Sequence, residues 1–150
     1  METQPLNEKS PQEHFELRMR TLRILWFSML MSVVIYYVIT LFVGPSEVES
    51  NDMLSLILAA VALMTVLVSF FVKSKLITRA VEQQRVQLVQ QAYIVAWAVT
   101  EVAALLGLLD FFATGHRHYY ILFIIAAIGQ LLHFPRREHV TNASSLIKVS

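Results

Sequence analysis

Apolar residues fall in four blocks separated by short polar segments, each too long and too uniformly apolar to be one face of a soluble helix or strand. Residues 24–46 carry no charge, and their apolar part ends at Gly44-Pro45, a pair that stops a helix. Residues 53–72 form the next uncharged stretch. Because about 20 residues at about 1.5 Å rise cover a hydrocarbon core of about 30 Å, both blocks predict transmembrane helices. The third block, 91–113, holds Glu101 near its middle and Asp110 near its outer end, and the fourth, 118–134, stops at Pro135-Arg136-Arg137. The pattern predicts an all-α membrane protein of four transmembrane helices, spanning about 24–43, 53–72, 91–113 and 118–134 and arranged as two hairpins. A polar segment, 1–23, leads in, and a tail, 135–150, leads out. The first block starts too late and runs too long for the apolar core of a cleaved signal, so it reads as a retained span.

Charge placement gives the orientation. Positively charged flanks stay on the cytoplasmic side. The N-terminal segment carries Lys9, Arg18, Arg20 and Arg23; the segment after the second block carries Lys73, Lys75, Arg79 and Arg85; the tail carries Arg136, Arg137 and Lys148. The two other loops share Arg117 alone, and the first of them carries Glu47, Glu49 and Asp52. Four crossings with both termini cytoplasmic put eleven of the twelve cations on one side, and removing any one span scrambles that segregation. Residues 73–90 contain no Gly or Pro and are rich in helix formers, so spans two and three are expected to continue as helices before turning. Gln83, Gln84, Gln87, Gln90 and Gln91 would give that extension a polar surface.

Composition agrees with a bilayer protein: 56% of the 150 residues are hydrophobic and only 15% charged, with a mean hydropathy of +0.57. The chain has no cysteine, which excludes disulfides, thiolate metal sites, iron–sulfur clusters and cysteine nucleophiles. Nucleic-acid binding has no support, because the cations are spread over three membrane-flanking segments where their usual role is topological.

Glu101 is the residue that demands a chemical account. A carboxyl near the bilayer midplane is costly when charged and unpaired, and no Lys or Arg lies inside any of the four spans. It is therefore expected to keep its proton unless water or another subunit reaches it, with Ser32 on span one and Thr65 on span two as hydrogen-bond partners at similar depth. At 100° per residue, Ile94, Trp97, Ala98, Ala104, Leu105 and Leu108 share its side of the helix. Ala92, Ala96, Ala103, Gly107 and Asp110 lie opposite, and the small residues spaced four apart there predict the helix-packing surface. Glu101 then faces a second helix, another protein or a water-filled path.

The stretch 98–108, Ala-Val-Thr-Glu-Val-Ala-Ala-Leu-Leu-Gly-Leu, resembles the carboxylate helix of the rotary ATP synthase proteolipid, subunit c. Spans two and three also match the topology of that family's hairpin, with its polar loop in the cytoplasm. The resemblance implies a proton- or sodium-binding acid at Glu101 and at no other position. The family's glycine-rich partner helix has no counterpart in 53–72, which contains no glycine, and two further spans flank the hairpin.

Histidine invites a heme or metal reading. His116 and His118 sit in the outer loop, His133 at the inner end of span four, and His14 and His139 in the tails, so no two face each other at one depth within the chain. Pairing of His133 across a symmetric interface stays open. The run His116-Arg117-His118-Tyr119-Tyr120 reads as an interfacial belt. Trp26, Phe27, Tyr36, Tyr37, Phe42, Trp97, Phe111 and Phe112 read as anchors and lipid-facing bulk. No phosphate loop, nucleophile elbow, zinc-protease motif or hydrolytic carboxylate pair is present. No cofactor or metal is expected. The expected partners are the lipid bilayer and either other membrane subunits or further copies of the chain.

Two function classes follow. The first is a non-enzymatic accessory or assembly subunit of a larger membrane complex, in which Glu101 makes a structural hydrogen bond. The alternative is an oligomer that relays protons or ions through Glu101. A small membrane enzyme or quinone-site protein has no residue spacing in its favour. The bacterial inner membrane is the expected location, from compact loops and the lack of a transit-peptide pattern.

Overall fold

The computed structural model describes residues 11–44, 51–115 and 117–144, and within them every regular element is a helix. Helix α1 (Pro11–Val43) opens with proline in the first turn and ends at Gly44, whose φ of 75° is a backbone that glycine adopts without penalty. Its 33 residues exceed what a bilayer core needs, so the polar residues before Ile24 continue the same rod beyond the apolar part. Helix α2 (Asp52–Glu82) starts at Asn51, whose side chain accepts from the Leu54 N–H at 3.0 Å, and Asp52 adds a negative charge in the first turn. Helix α3 (Val86–Thr114) stops at Gly115 with φ 57°. Helix α4 (Tyr120–Leu132) and a short helix α5 (Arg137–Asn142) complete the fold.

Helices α1, α2 and α3 are long and apolar enough to cross a membrane; α4 is apolar but shorter. Its 13 residues cover about 20 Å. The structure therefore supports an integral membrane protein with three span-length helices and a fourth, shorter one. Phe42, Met53, Leu56 and Phe71 are each more than 60% exposed, as lipid-facing side chains are and soluble cores are not.

Only Gln83, Gln84 and Arg85 separate α2 from α3, and with no glycine present Gln84 takes φ 51°. The Gln84 N–H donates to the Val81 carbonyl at 3.2 Å and the Arg85 N–H to the Ala80 carbonyl at 3.0 Å, so the turn satisfies the carbonyls that α2 leaves open. This end of the bundle is called the turn end below. At the far end the Asn51 N–H donates to the Thr114 carbonyl at 3.2 Å.

Helix α3 is the centre of the bundle and packs against α1, α2, α4 and α5. Ala92, Ala96, Ala103 and Gly107 are fully enclosed, in keeping with the close approach that small residues permit. The side that carries Glu101 is packed as well, since Trp97 and Ala104 are 0% exposed, so the expectation of a single packing surface is corrected. The hairpin expectation also changes: α1 packs on α3 and α4, and the tightest pair is α2 with α3. A three-residue turn holds that pair together, whereas the link from α1 to α2 is long enough to let α1 settle elsewhere.

Two apolar clusters fill the interior. One lies along the spans and joins Val33, Leu58, Ala62, Val66, Ala103 and Leu122, among others. The second joins Met19 and Leu22 of α1, Ala80 of α2, Val89, Tyr93 and Trp97 of α3, and Val140 and Ala143 from α5 and its end. The start of α1, the α2–α3 turn and α5 thus meet at the turn end, and the C-terminal segment, expected only as a tail, carries a docked helix. Gly129 sets how closely α4 approaches: a Cβ there would lie 2.7 Å from Thr100 Cγ2 and 3.1 Å from Val66 Cγ1.

Candidate functional site

Polar side chains inside the bundle form three stations along its length. The middle one is Glu101. Ser32 and Tyr36 stand four residues apart on α1 and so project from one face. Both hydroxyls reach the same carboxylate oxygen, with Ser32 Oγ donating to Glu101 Oε1 at 2.7 Å and Tyr36 OH at 3.0 Å. Ser32 Oγ also lies 2.7 Å from the Met29 carbonyl, so its one hydrogen is shared between two acceptors. Glu101 is half-buried, in the seam between α1 and α3.

Thr65 does not join this station. Its hydroxyl donates to the Val61 carbonyl one turn back on α2, at 2.8 Å, because matching depth does not bring a residue to the matching side of its helix. Tyr36, expected among the lipid-facing aromatics, is a direct donor instead. Trp97 and Phe111 depart from that expectation too, at 0% and 3% exposed. The Trp97 indole N–H is drawn inward to the His133 carbonyl at 3.1 Å, and the Phe111 ring packs on Tyr119 with centroids 4.8 Å apart.

The far-end station is Asp110, fully buried. Ser55 Oγ on α2 donates to Oδ2 at 3.0 Å and Thr114 Oγ1, one turn on, donates to Oδ1 at 2.7 Å. Both carboxylate oxygens are thereby engaged, and the acid ties α3 to α2. Glu101 reaches α1 and Asp110 reaches α2, so the two acids act on different seams.

The third station lies toward the turn end, around His133, which is fully buried. Its Nδ1 is 2.7 Å from the Gly129 carbonyl, and since a carbonyl only accepts, Nδ1 carries the hydrogen. Ser69 Oγ lies 3.2 Å from Nε2 and shares its one hydrogen with the Val66 carbonyl at 2.6 Å, while Thr100 Oγ1, which donates to the Ala96 carbonyl at 2.9 Å, lies 3.2 Å from Ser69 Oγ. The His133 ring packs on Phe70 with centroids 4.2 Å apart. Both ring nitrogens have neighbours inside the chain, and the side chain is 0% exposed. Around it, Trp97 Nε1 donates to the His133 carbonyl at 3.1 Å, Gln130 Nε2 to the Trp97 carbonyl at 3.2 Å, and Trp26 Nε1 to the Gln130 carbonyl at 2.8 Å. Gln130 Oε1 is the one buried side-chain polar atom without a partner among the described residues.

Beyond the spans, α5 brings a further set together. Tyr93 OH accepts from the Arg136 N–H at 2.9 Å and lies 2.6 Å from His139 Nδ1. The buried Lys73 ammonium sits over the Tyr93 ring, 4.7 Å from its centroid. Burial pushes His139 below the ordinary histidine value, the Lys73 and Arg136 charges push the same way, and Glu138 opposes them. Nothing in the sequence pattern singles out Tyr93 or His139, which lie 46 residues apart.

Among the described residues no group of three or more His, Asp or Glu side chains is placed to hold a metal ion. His14 and His116 side chains lie outside the described residues. No family model, no curated protein and no solved structure matches this chain.

Proposed function

We propose that this chain is a non-enzymatic membrane protein that crosses the bilayer four times and serves as an accessory or assembly subunit of a larger membrane complex. The observation that carries the reading is the engagement of Glu101 Oε1 by Ser32 and Tyr36. A membrane carboxyl that accepts through one oxygen from two hydroxyls of the neighbouring helix acts as a clasp between α1 and α3, which is a structural task. Asp110 with Ser55 and His133 with Ser69 tie further helices in the same way, so all three stations have a helix-joining role.

Four crossings with both termini cytoplasmic are supported by the segregation of cations and by the meeting of the start of α1, the α2–α3 turn and α5 at one end of the bundle. The turns on either side of α4 lengthen its path beyond its 13 helical residues.

Purification from native membranes in mild detergent tests the accessory role: a stoichiometric set of membrane partners is expected, and recovery of the chain only as a lone monomer overturns it. A proton- or ion-relaying oligomer is the second reading, favoured by the half-exposed position of Glu101 and by the resemblance of its helix to the ATP synthase proteolipid. Glu101→Gln separates the two, because the amide oxygen still accepts from Ser32 and Tyr36 but the side chain no longer exchanges a proton. Under the structural reading the variant assembles normally and liposome proton flux is unchanged from wild type. Loss of a wild-type flux with assembly intact favours the relay.

A further inference from the structure

We propose that α5 is a proton-sensitive latch, docked across the turn end of the bundle while His139 is neutral and released when His139 takes up a proton, uncovering the apolar cluster around Met19, Leu22, Val89 and Tyr93. Among the described residues, apolar burial and three polar contacts hold α5 in place. Val140 is 1% exposed and Ala143 is 0% exposed, both within that cluster. Arg137 pairs with Glu16 of α1 at 3.4 Å, an exposed contact of little strength. Gln84 Nε2 reaches the Asn142 carbonyl at 3.5 Å. The short contact is Tyr93 OH to His139 Nδ1 at 2.6 Å.

An uncharged ring serves that last contact as an acceptor. The Tyr93 oxygen accepts from the Arg136 N–H and keeps its own hydrogen, which a neutral ring receives on the Nδ1 lone pair. A proton on Nδ1 turns the acceptor into a donor and forces the phenol hydrogen elsewhere. The surroundings then work against the new charge. Lys73 of α2 and Arg136 ahead of α5 are cations that act on His139, Tyr93 of α3 is a neutral phenol, and among the described residues Glu138 on α5 is the acid that opposes them. On α1, Glu16 is engaged with Arg137. Because docking lowers the affinity of His139 for a proton, the docked state binds fewer protons than the released one. Docking is thus fully favoured above the ordinary histidine value of about 6.5, and that preference is lost as pH falls from there through the depressed value.

The absence of cysteine makes the test direct. Nitroxides on Asn142→Cys and on the lipid-facing Leu67→Cys of α2, with the full chain in nanodiscs, report the α5-to-bundle distance by pulsed electron resonance. A narrow distribution is expected at about pH 8 and a broad, longer one at about pH 5. His139→Gln, which still accepts from Tyr93 but cannot be charged, should stay narrow at both. His139→Lys should be broad already at the higher pH. Lys73→Met, which removes a repelling charge, should move the wild-type midpoint to lower pH, and this shift decides the matter if His139→Gln does not dock. A wild-type distribution that does not change with pH overturns the latch, as does a His139→Gln chain that opens alongside it or a His139→Lys chain that stays closed.

Discussion

Ser32 and Tyr36 hold one oxygen of Glu101 between them, so each contributes a separable part of the clasp. Ser32→Ala and Tyr36→Phe are each expected to cost about 1 kcal/mol, the usual scale for an interhelical hydrogen bond, and the double variant should depart from additivity because both act on the same atom. Reversible unfolding in mixed micelles would measure all three. Gly129→Ala is expected to cost about 1–3 kcal/mol by the same assay, since its Cβ would meet Thr100 Cγ2 at 2.7 Å and α4 would have to move away. Glu101 was legible in the sequence because an acid inside an apolar block has no bland explanation, and Ser32 because its depth matched. Tyr36 was not, since a tyrosine in a span reads equally well as a lipid-facing ring. Thr65 shows the limit from the other side: depth follows from residue number, but the direction a helix face points depends on how the helices pack.

At the level of elements, the unbroken helix formers of 73–90 do end in continuous helices, yet the place where the chain reverses carries no glycine to mark it. Gln84 takes the left-handed conformation at a cost of about 1 kcal/mol, and the bonds to Ala80 and Val81 offset it. The long apolar helices were readable because hydrocarbon imposes length and uniformity together. The docked α5 was not, because six residues with one buried valine make no periodic signal. Val140→Asp places a charge in an enclosed apolar site, and it should undock α5 and raise amide exchange around Val89 and Tyr93 several-fold, read by mass spectrometry. Unchanged exchange there would mean that α5 adds little to the closure of that end.

For the whole molecule, the proposed orientation rests on charge while packing rests on small residues, and both gather the basic flanks at one end. Tags at the two termini are expected to be cut by protease from the same face of sealed vesicles; cleavage from opposite faces would remove the four-crossing arrangement. Helices α2 and α3 are joined at one end by Gln83–Arg85 and at the other by the bond from Asn51 to Thr114. A pair fastened at both ends behaves under load as a closed hoop, with nowhere for peeling to begin. Drawn out of the bilayer by a cantilever at the C-terminus, the chain should surrender α5 and then α4, and afterwards lose α2 and α3 in a single rupture.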